Sequence, residues 1–419
     1  MNKRRLVELC DVIVPMRDKP KVFVSEENGV PWCRIEDIEG KFLNNSISQK
    51  YVSKECIVQM NLKVFPVGTV LCAVTGASIG TYAITTRELI TNQTFAGLVC
   101  KENLLYNEFL YYYIKMHTGT FVNNSVGSAQ AYITRETLEN FPIPDLEYDE
   151  QVPLVKVRKY LDDKININNK INVELEAMAK TIYDYWFLQF DFPDENGKPY
   201  KSSGGKMIWN EELKREIPEG WSIDSIVDLC EIVDCLHSKK PEYKYEREDC
   251  YLLSLENLSK EGYIDISKKY YISVSDYGEW TKKITVLEND FVVTNAGRAG
   301  DIGRISKGIK CAIGRNMTAI RPVSISPYYL RQFFKSNYVI EQIMNNLDCG
   351  SFFKSFNVKS IRKLKVIVPN ESVMNDFLLR IESLILKIDA INEENRELTS
   401  LRDFLLPLLM NGQIGFKEC

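Results

Sequence analysis

Two histidines, His117 and His237, are all that 419 residues contain, so histidine relays and histidine-rich zinc sites are poorly supplied. No CxxC pair occurs among the eleven cysteines, and an odd thiol number in a chain without a signal peptide reads as reduced cysteine rather than a disulfide frame. The longest apolar stretches, such as Val64 to Val74, are broken by Pro66, Gly68 and Thr69. They fall far below the ~18 residues of a membrane span. The basic start Met1-Asn2-Lys3-Arg4-Arg5 runs into Glu8 and Asp11 before any secretory apolar region forms, which points to a cytoplasmic protein with no membrane partner. There is no GxxxxGK[ST] phosphate loop, no GxGxxG fingerprint and no [DN]PP[YF] tetrapeptide of the kind amino-methyltransferases use on a flipped base. Glu242-Tyr243-Lys244 has nuclease E-x-K spacing, but among 57 acidic residues such a triplet is expected by chance. No catalytic or metal-ligating residue is assigned.

What the chain does contain is a repeat. Leu9-Cys10-Asp11-Val12-Ile13 recurs as Leu229-Cys230-Glu231-Ile232-Val233, and the same offset of 220 relates Ile35-Glu36-Asp37-Ile38 to Leu255-Glu256-Asn257-Leu258 and Tyr51-Val52-Ser53 to Tyr271-Ile272-Ser273. Further on the offset drifts by a few residues, pairing Gly76 with Gly297, Ile79-Gly80 with Ile302-Gly303, and Gly127-Ser128 with Gly350-Ser351. Phe141 to Pro144 and Val366 to Pro369 close the two copies. An ordered series of this kind signals duplication.

Each copy mixes short strand-like runs with short helix candidates and is followed by a long amphipathic stretch. In the first, Leu161, Ile165, Ile171, Leu175, Met178, Ile182 and Tyr185 fall on one stripe. In the second, Ile381, Leu384, Ile388, Ile391, Asn395, Leu398, Leu401, Leu405 and Leu408 step by three or four. About 33 helical residues at ~1.5 Å each make ~50 Å, longer than a small domain covers, so the two helices are expected to pair. The class is α+β: two duplicated mixed α/β domains separated by two long antiparallel coiled-coil helices. The divisions are a first domain at 1–145, a long helix at 146–192, an exposed linker at 193–216, a second domain at 217–369 and a second long helix at 370–419. Net charge by segment is 0 for 1–145, −4 for 146–220, +4 for 221–370 and −4 for 371–419. Binding and scaffolding thus look divided along the chain.

The glycine turns Thr75 to Gly80 and Asn295 to Gly303 either cradle phosphate through backbone N–H groups or merely form tight turns. Polar side chains in or beside these loops are the candidate ligand contacts, and the family resemblance set out below implies that the ligand is DNA. They are Thr75, Ser78, Ser128, Gln130 and Tyr132 in the first domain, and Asn295, Arg298, Arg304, Arg315, Ser351 and Lys354 in the second. A plain surface role is the alternative for each, and Tyr132 could equally be a core residue.

Gly127 to Thr134 (GSAQAYIT), Leu138 to Pro144 (LENFPIP), Glu150-Gln151, Tyr183 to Pro193 (YDYWFLQFDFP), Gly204 to Trp221 (GGKMIWNEELKREIPEGW) and Leu405 to Ile414 (LLPLLMNGQI) together resemble the specificity subunit of type I restriction-modification enzymes over essentially the whole chain. That resemblance implies two target recognition domains, each reading half of a split double-stranded DNA sequence, and helices that dock two methyltransferase subunits, with restriction subunits joining the complex. It also implies that S-adenosylmethionine, ATP and magnesium act in the partner subunits, with no cofactor here. Two departures stand out: the first copy lacks an opening like Ile217 to Trp221, and the second has Cys349 to Phe356 (CGSFFKSF) in place of GSAQ. A type IIB-like specificity subunit and a non-catalytic coiled-coil scaffold with duplicated protein-binding domains remain the alternatives.

Overall fold

The structure is a computed structural model that describes residues 2–15, 19–127, 131–236, 240–349, 354–410 and 413. It divides into two compact units, Met1–Asn166 with Glu397–Cys419, and Ile167–Arg396.

In the first unit the strand Phe95–Cys100 lies between Cys10–Ile13 and Val70–Ala73, antiparallel to both. Tyr82–Thr85 and Phe42–Leu43 extend this sheet to five strands. A second sheet runs Tyr51–Val52, Val30–Cys33, Leu89–Thr91, Val64–Phe65. The sheets meet through Phe65, which is fully buried. A Cβ at Gly97 would lie 2.1 Å from its ring, so only glycine lets the central strand take that contact. The helix Asn107–Met116 buries Phe109, Leu110, Tyr113 and Ile114. The chain start, Lys3–Arg5, pairs with Pro142–Pro144 and closes the domain beside the long helix.

The second unit repeats this plan. Met317–Pro322 lies between Cys230–Asp234 and Phe291–Thr294, with Ile302–Arg304 at the edge, and Tyr270–Tyr271, Tyr251–Leu253 and Ala312–Ile313 form the smaller sheet. Parallel pairing of Val30–Cys33 with Leu89–Thr91 matches that of Tyr251–Leu253 with Ala312–Ile313. The helix Pro327–Lys335 starts on Ser326, whose hydroxyl accepts the Tyr328 N–H. Ser222–Ser225 pairs with Lys365–Val368 just as the chain start does in the first unit.

The first long helix, Tyr148–Tyr183, spans 36 residues and ends in a π-helical turn, Asp184–Leu188; the second, Glu371–Met410, spans 40. Gln151 anchors the first. Its Nε2 donates to the Leu104 and Leu146 carbonyls at 3.0 and 2.9 Å, and its Oε1 accepts the Tyr106 N–H at 2.8 Å. A buried amide with three satisfied contacts fixes the departure angle of the helix, which gives Glu150-Gln151 a structural role. The aromatic run at the other end is core: Phe187 packs against Phe377, Tyr329 and Trp221 with centroids 4.8, 4.9 and 5.5 Å apart.

The helices run antiparallel within each unit. In the first, Arg402 Nη1 donates to Asp162 at 3.0 Å. In the second, Asn168 Nδ2 donates to Asn395 at 2.9 Å and to Glu394 at 2.7 Å, and Asn172 Nδ2 to Asn392 at 2.8 Å. Leu161, Ile165, Leu175, Ile182, Leu398 and Leu405 are half-buried, and Ile388 and Ile391 are buried. Ile171 and Met178 correct the sequence reading: both are exposed, at 39% and 51%, and so is Leu401. Buried Asn168 and Ala179 take the inward face instead. A polar layer in a helix pair fixes register at some cost in stability.

The segment expected to be an open linker is folded as well. Met207–Asn210 and Arg215–Pro218 form a hairpin, and Phe192 stacks between Tyr200 and Trp221 at 4.6 and 5.1 Å. Turn-forming composition marked the bends and concealed the aromatic packing.

One ion cluster fastens the helix Pro327–Lys335 to the first long helix. Both Arg331 Nη atoms and Lys335 Nζ contact the Glu176 carboxylate, the lysine at 2.8 Å. Burial, with the Arg331 charge alongside, lowers the Lys335 ammonium to about 8. Burial would raise the Glu176 carboxyl, but Arg331 and Lys335 outweigh it and hold the group below its usual value. The folded state therefore binds fewer protons at Lys335 than the unfolded chain between pH ~8 and ~10.5, and this group's contribution to stability rises with pH across that window, by about 3 kcal/mol in full. Lys335→Met should remove that rise while Arg331 still holds Glu176. Urea denaturation of both proteins at pH 7.5 and 9.5 checks it: wild type should gain stability relative to Lys335→Met at the higher pH, and a constant difference would refute it.

Candidate nucleic-acid interface

In the first unit the strand Val70–Ala73 runs into the turn Thr75 to Gly80, and the Gly76 N–H donates to the Ala131 carbonyl at 2.7 Å. Thr75 and Val126 both bridge to Tyr132, so the turn and the following hairpin form one rim. In the second unit the strand Phe291–Thr294 leads into Asn295, whose carbonyl accepts the Phe356 N–H at 2.8 Å. There the hairpin of Asp348–Cys349 with Lys354–Ser355 takes the corresponding place. A third loop joins each rim. The Val74 N–H donates to Thr94 O at 2.8 Å, and the Asn295 N–H to Asn316 O at 2.7 Å.

The candidates divide sharply once placed. Tyr132 is 47% exposed, which removes the core reading, and Arg315 and Lys354 are exposed. Thr75 is half-buried, and Ser78 is half-buried with its hydroxyl donating to Thr75 O at 2.5 Å. Asn295 points its Nδ2 at Thr318 Oγ1, 2.9 Å away. Two arginines correct the sequence reading. Arg298 donates to the Leu255 and Leu258 carbonyls and pairs with Asp301 at 3.3 Å, stapling its own domain. Arg304 is 4% exposed and pairs with Asp389 of the second long helix. Ser128, Gln130 and Ser351 lie outside the described residues.

Within the glycine turns the Gly76, Ile79, Thr81, Gly300 and Asp301 N–H groups donate within their own turns or to the adjoining hairpin, which takes these five out of any phosphate cradle. Gly300, at φ +91°, lies so close to Ile343 that a Cβ would approach its Cγ2 to 2.6 Å.

One residue escaped the sequence reading. Gln93 occupies in the first unit the loop place that Arg315 holds in the second: Leu89–Thr91 and Ala312–Ile313 are equivalent parallel strands, and 222 residues separate the two positions. Gln93 is exposed. Glutamine and arginine are the side chains whose paired polar atoms match adenine and guanine edges in the major groove. The repeat offset was the available signal.

Among the described residues no group of three His, Cys, Asp or Glu side chains could hold a metal ion. No helix among them is long and apolar enough to cross a membrane.

The fold is shared with a solved S subunit of a type I restriction-modification system. The S subunit of a type I restriction-modification system from M. genitalium superposes with a TM-score of 0.51 at 15% identity, covering 98% of this chain and 96% of that one. Residues 1–177 match the family described as the type I restriction modification DNA specificity domain. The chain is 23% identical over 394 residues to the type I restriction enzyme MjaIX specificity subunit of Methanocaldococcus jannaschii, covering 93% of this chain and 88% of that protein. It is 21% identical over 321 residues to the HindI specificity subunit of Haemophilus influenzae, covering 65% and 68%. The resemblance read from the sequence is therefore borne out as a likeness: the chain is similar to type I restriction enzyme specificity subunits over nearly its full length.

Proposed function

We propose that this chain is the DNA specificity subunit of a type I restriction-modification complex, reading a bipartite duplex target with one domain per half. The observation that carries this reading is the duplicated rim. Two domains hold the same three backbone loops together by the same main-chain hydrogen bonds while carrying different exposed side chains, Gln93 and Tyr132 in one, Arg315 and Lys354 in the other. A conserved frame with divergent tips suits two readers of different base sequences.

In this proposal the chain contributes no catalytic group. S-adenosylmethionine, ATP and magnesium work in the methyltransferase and restriction subunits. Two methyltransferase subunits dock on the long helices, and in the second unit the outward apolar stripe of Ile167, Ile171, Met178 and Tyr185 is the surface offered, since apolar side chains at successive helical turns are a docking signature rather than a solvated face.

Exchange of residues 1–145 for the matching segment of a related subunit is the test. Methylation mapping of the reconstituted complex should show one half-site changed and the other retained. A change in both halves would overturn independent reading, and loss of all DNA selectivity despite intact assembly would favour a protein-binding scaffold.

A further inference from the structure

The two domains close in the same way and carry opposite charge where they do so. In the first, the Leu6 N–H donates to the Phe141 carbonyl; in the second, the Ile226 N–H donates to that of Leu364. A short helix comes just before each contact, Arg135–Glu139 capped by the Thr134 hydroxyl and Val358–Ile361 capped by the Asn357 amide oxygen. These matches align the copies here at an offset of 223. Glu136 then corresponds to Lys359, Glu139 to Arg362 and Asn140 to Lys363.

The neighbouring strand does not cancel this reversal. Residues 3–9 and 131–145 of the first copy hold four cations and four carboxylates. They are largely paired with one another: Glu8 meets Arg4 at 3.6 Å and Arg5 at 3.0 Å, and Arg135 meets Glu139 at 2.6 Å. The equivalent residues 223–229 and 354–368 hold five cations against two carboxylates, Asp224 and Asp228, a net charge of +3. Of the five, Lys365 is paired with Glu212 at 2.7 Å. Lys354, Lys359, Arg362 and Lys363 are exposed, and among the described residues none of them pairs with a carboxylate. The whole stretch 349–370 contains no acidic residue.

We propose that Lys359, Arg362 and Lys363 grip the sugar–phosphate backbone of duplex DNA beside the bases that the second domain reads, and that the first domain has no such grip. This inference rests on the specificity-subunit reading. Continuity with the rim favours DNA over an acidic protein surface. Lys354 stands on the rim hairpin, and the Phe356 N–H ties the chain to the Asn295 carbonyl at 2.8 Å. Lys359 follows five residues after Lys354, at most ~17 Å of extended chain. Phosphates of one strand recur every ~3.4 Å along the duplex axis, so the three cations fall within a few phosphates of the reading loops. Exposed cations on a short helix and the turn after it suit a repeating charged backbone, which positions a duplex without reading its sequence. The duplex is thereby held more firmly at one half of its target than at the other.

The test uses the chain in complex with methyltransferase. Lys359→Ala, Arg362→Ala and Lys363→Ala together should lower the salt slope of duplex binding by about two to three, while the consensus selected from a random pool stays the same. Interference by phosphate ethylation should disappear beside one half-site only, the one that exchange of residues 1–145 leaves unchanged. All three side chains are exposed, so the melting temperature should hold. Lys359→Arg with Lys363→Arg keeps the charge and should keep the slope. An unchanged slope in the alanine variant overturns the proposal, as does a slope lost equally in the charge-keeping variant or interference lost at both half-sites. Weakened methyltransferase docking with an unchanged slope would assign the patch to an acidic partner surface and overturn it too. A wild-type complex without sequence selectivity removes the specificity-subunit reading, whereas an unchanged slope in a selective complex removes only the grip.

Discussion

Replacing Asp389 by alanine will destabilise the second unit by about 3–5 kcal/mol, the range found when one partner of a buried ion pair is removed. Arg304 is 4% exposed, and its guanidinium meets Asp389 on one side and Asn289 Oδ1, at 2.7 Å, on the other. The Nε is already buried without a partner. Without the carboxylate, a full positive charge stays in a site that gives it one amide oxygen and the face of Tyr328, whose ring centroid is 5.9 Å away. Arg304→Met should cost far less, because the Asp389 left behind is about a quarter exposed and can rehydrate. Urea denaturation of the two variants tests the asymmetry: Asp389→Ala within 1 kcal/mol of wild type would show that the pair is not buried in solution.

Arg315→Ala and Gln93→Ala are expected to lose about 1–3 kcal/mol of base discrimination each, close to five- to 150-fold, and each in one half of the target only. Both side chains stand exposed on equivalent loops, and nothing in the fold depends on them, so stability should change by under ~0.5 kcal/mol. Lys354, exposed on the neighbouring hairpin, differs in kind. As a point charge it suits a phosphate, and Lys354→Ala should weaken all sequences alike and reduce the salt slope. Selection of bound duplexes from a random pool, by the complex with methyltransferase, separates the two behaviours. Arg315→Ala with an unaltered consensus in both halves would remove it from the reading surface.

The duplication was legible because its signal is the order of matches, which survives loop insertions. The long helices were legible too, but not which face pairs. Counting apolar residues put Ile171 and Met178 inside, whereas the pairing face carries Asn168, Asn172 and Ala179. A helix with one stripe for its intramolecular partner and another facing outward has two solutions, and hydrophobicity alone picks the more apolar. Arg298 and Arg304 misled for a related reason. An arginine in a glycine-bearing loop reads as exposed, and the group that draws Arg304 inward lies 85 residues further along the chain. Gln93 was overlooked because a neutral residue in a three-residue loop carries no local signal, although its partner in the repeat did.

Leu405, Leu409 and Met410 pack into the same core as Leu6, Leu98 and Ile143. The amino-terminal domain therefore cannot finish burying its apolar surface when its own 145 residues have left the ribosome. It must wait, partly open, until residues 405–410 have been made, and sequence-distant closure of this kind is slow and exposes sticky intermediates. Premature termination near residue 400 would consequently harm the domain of residues 1–145, leaving a product whose damage sits far along the chain from the lesion.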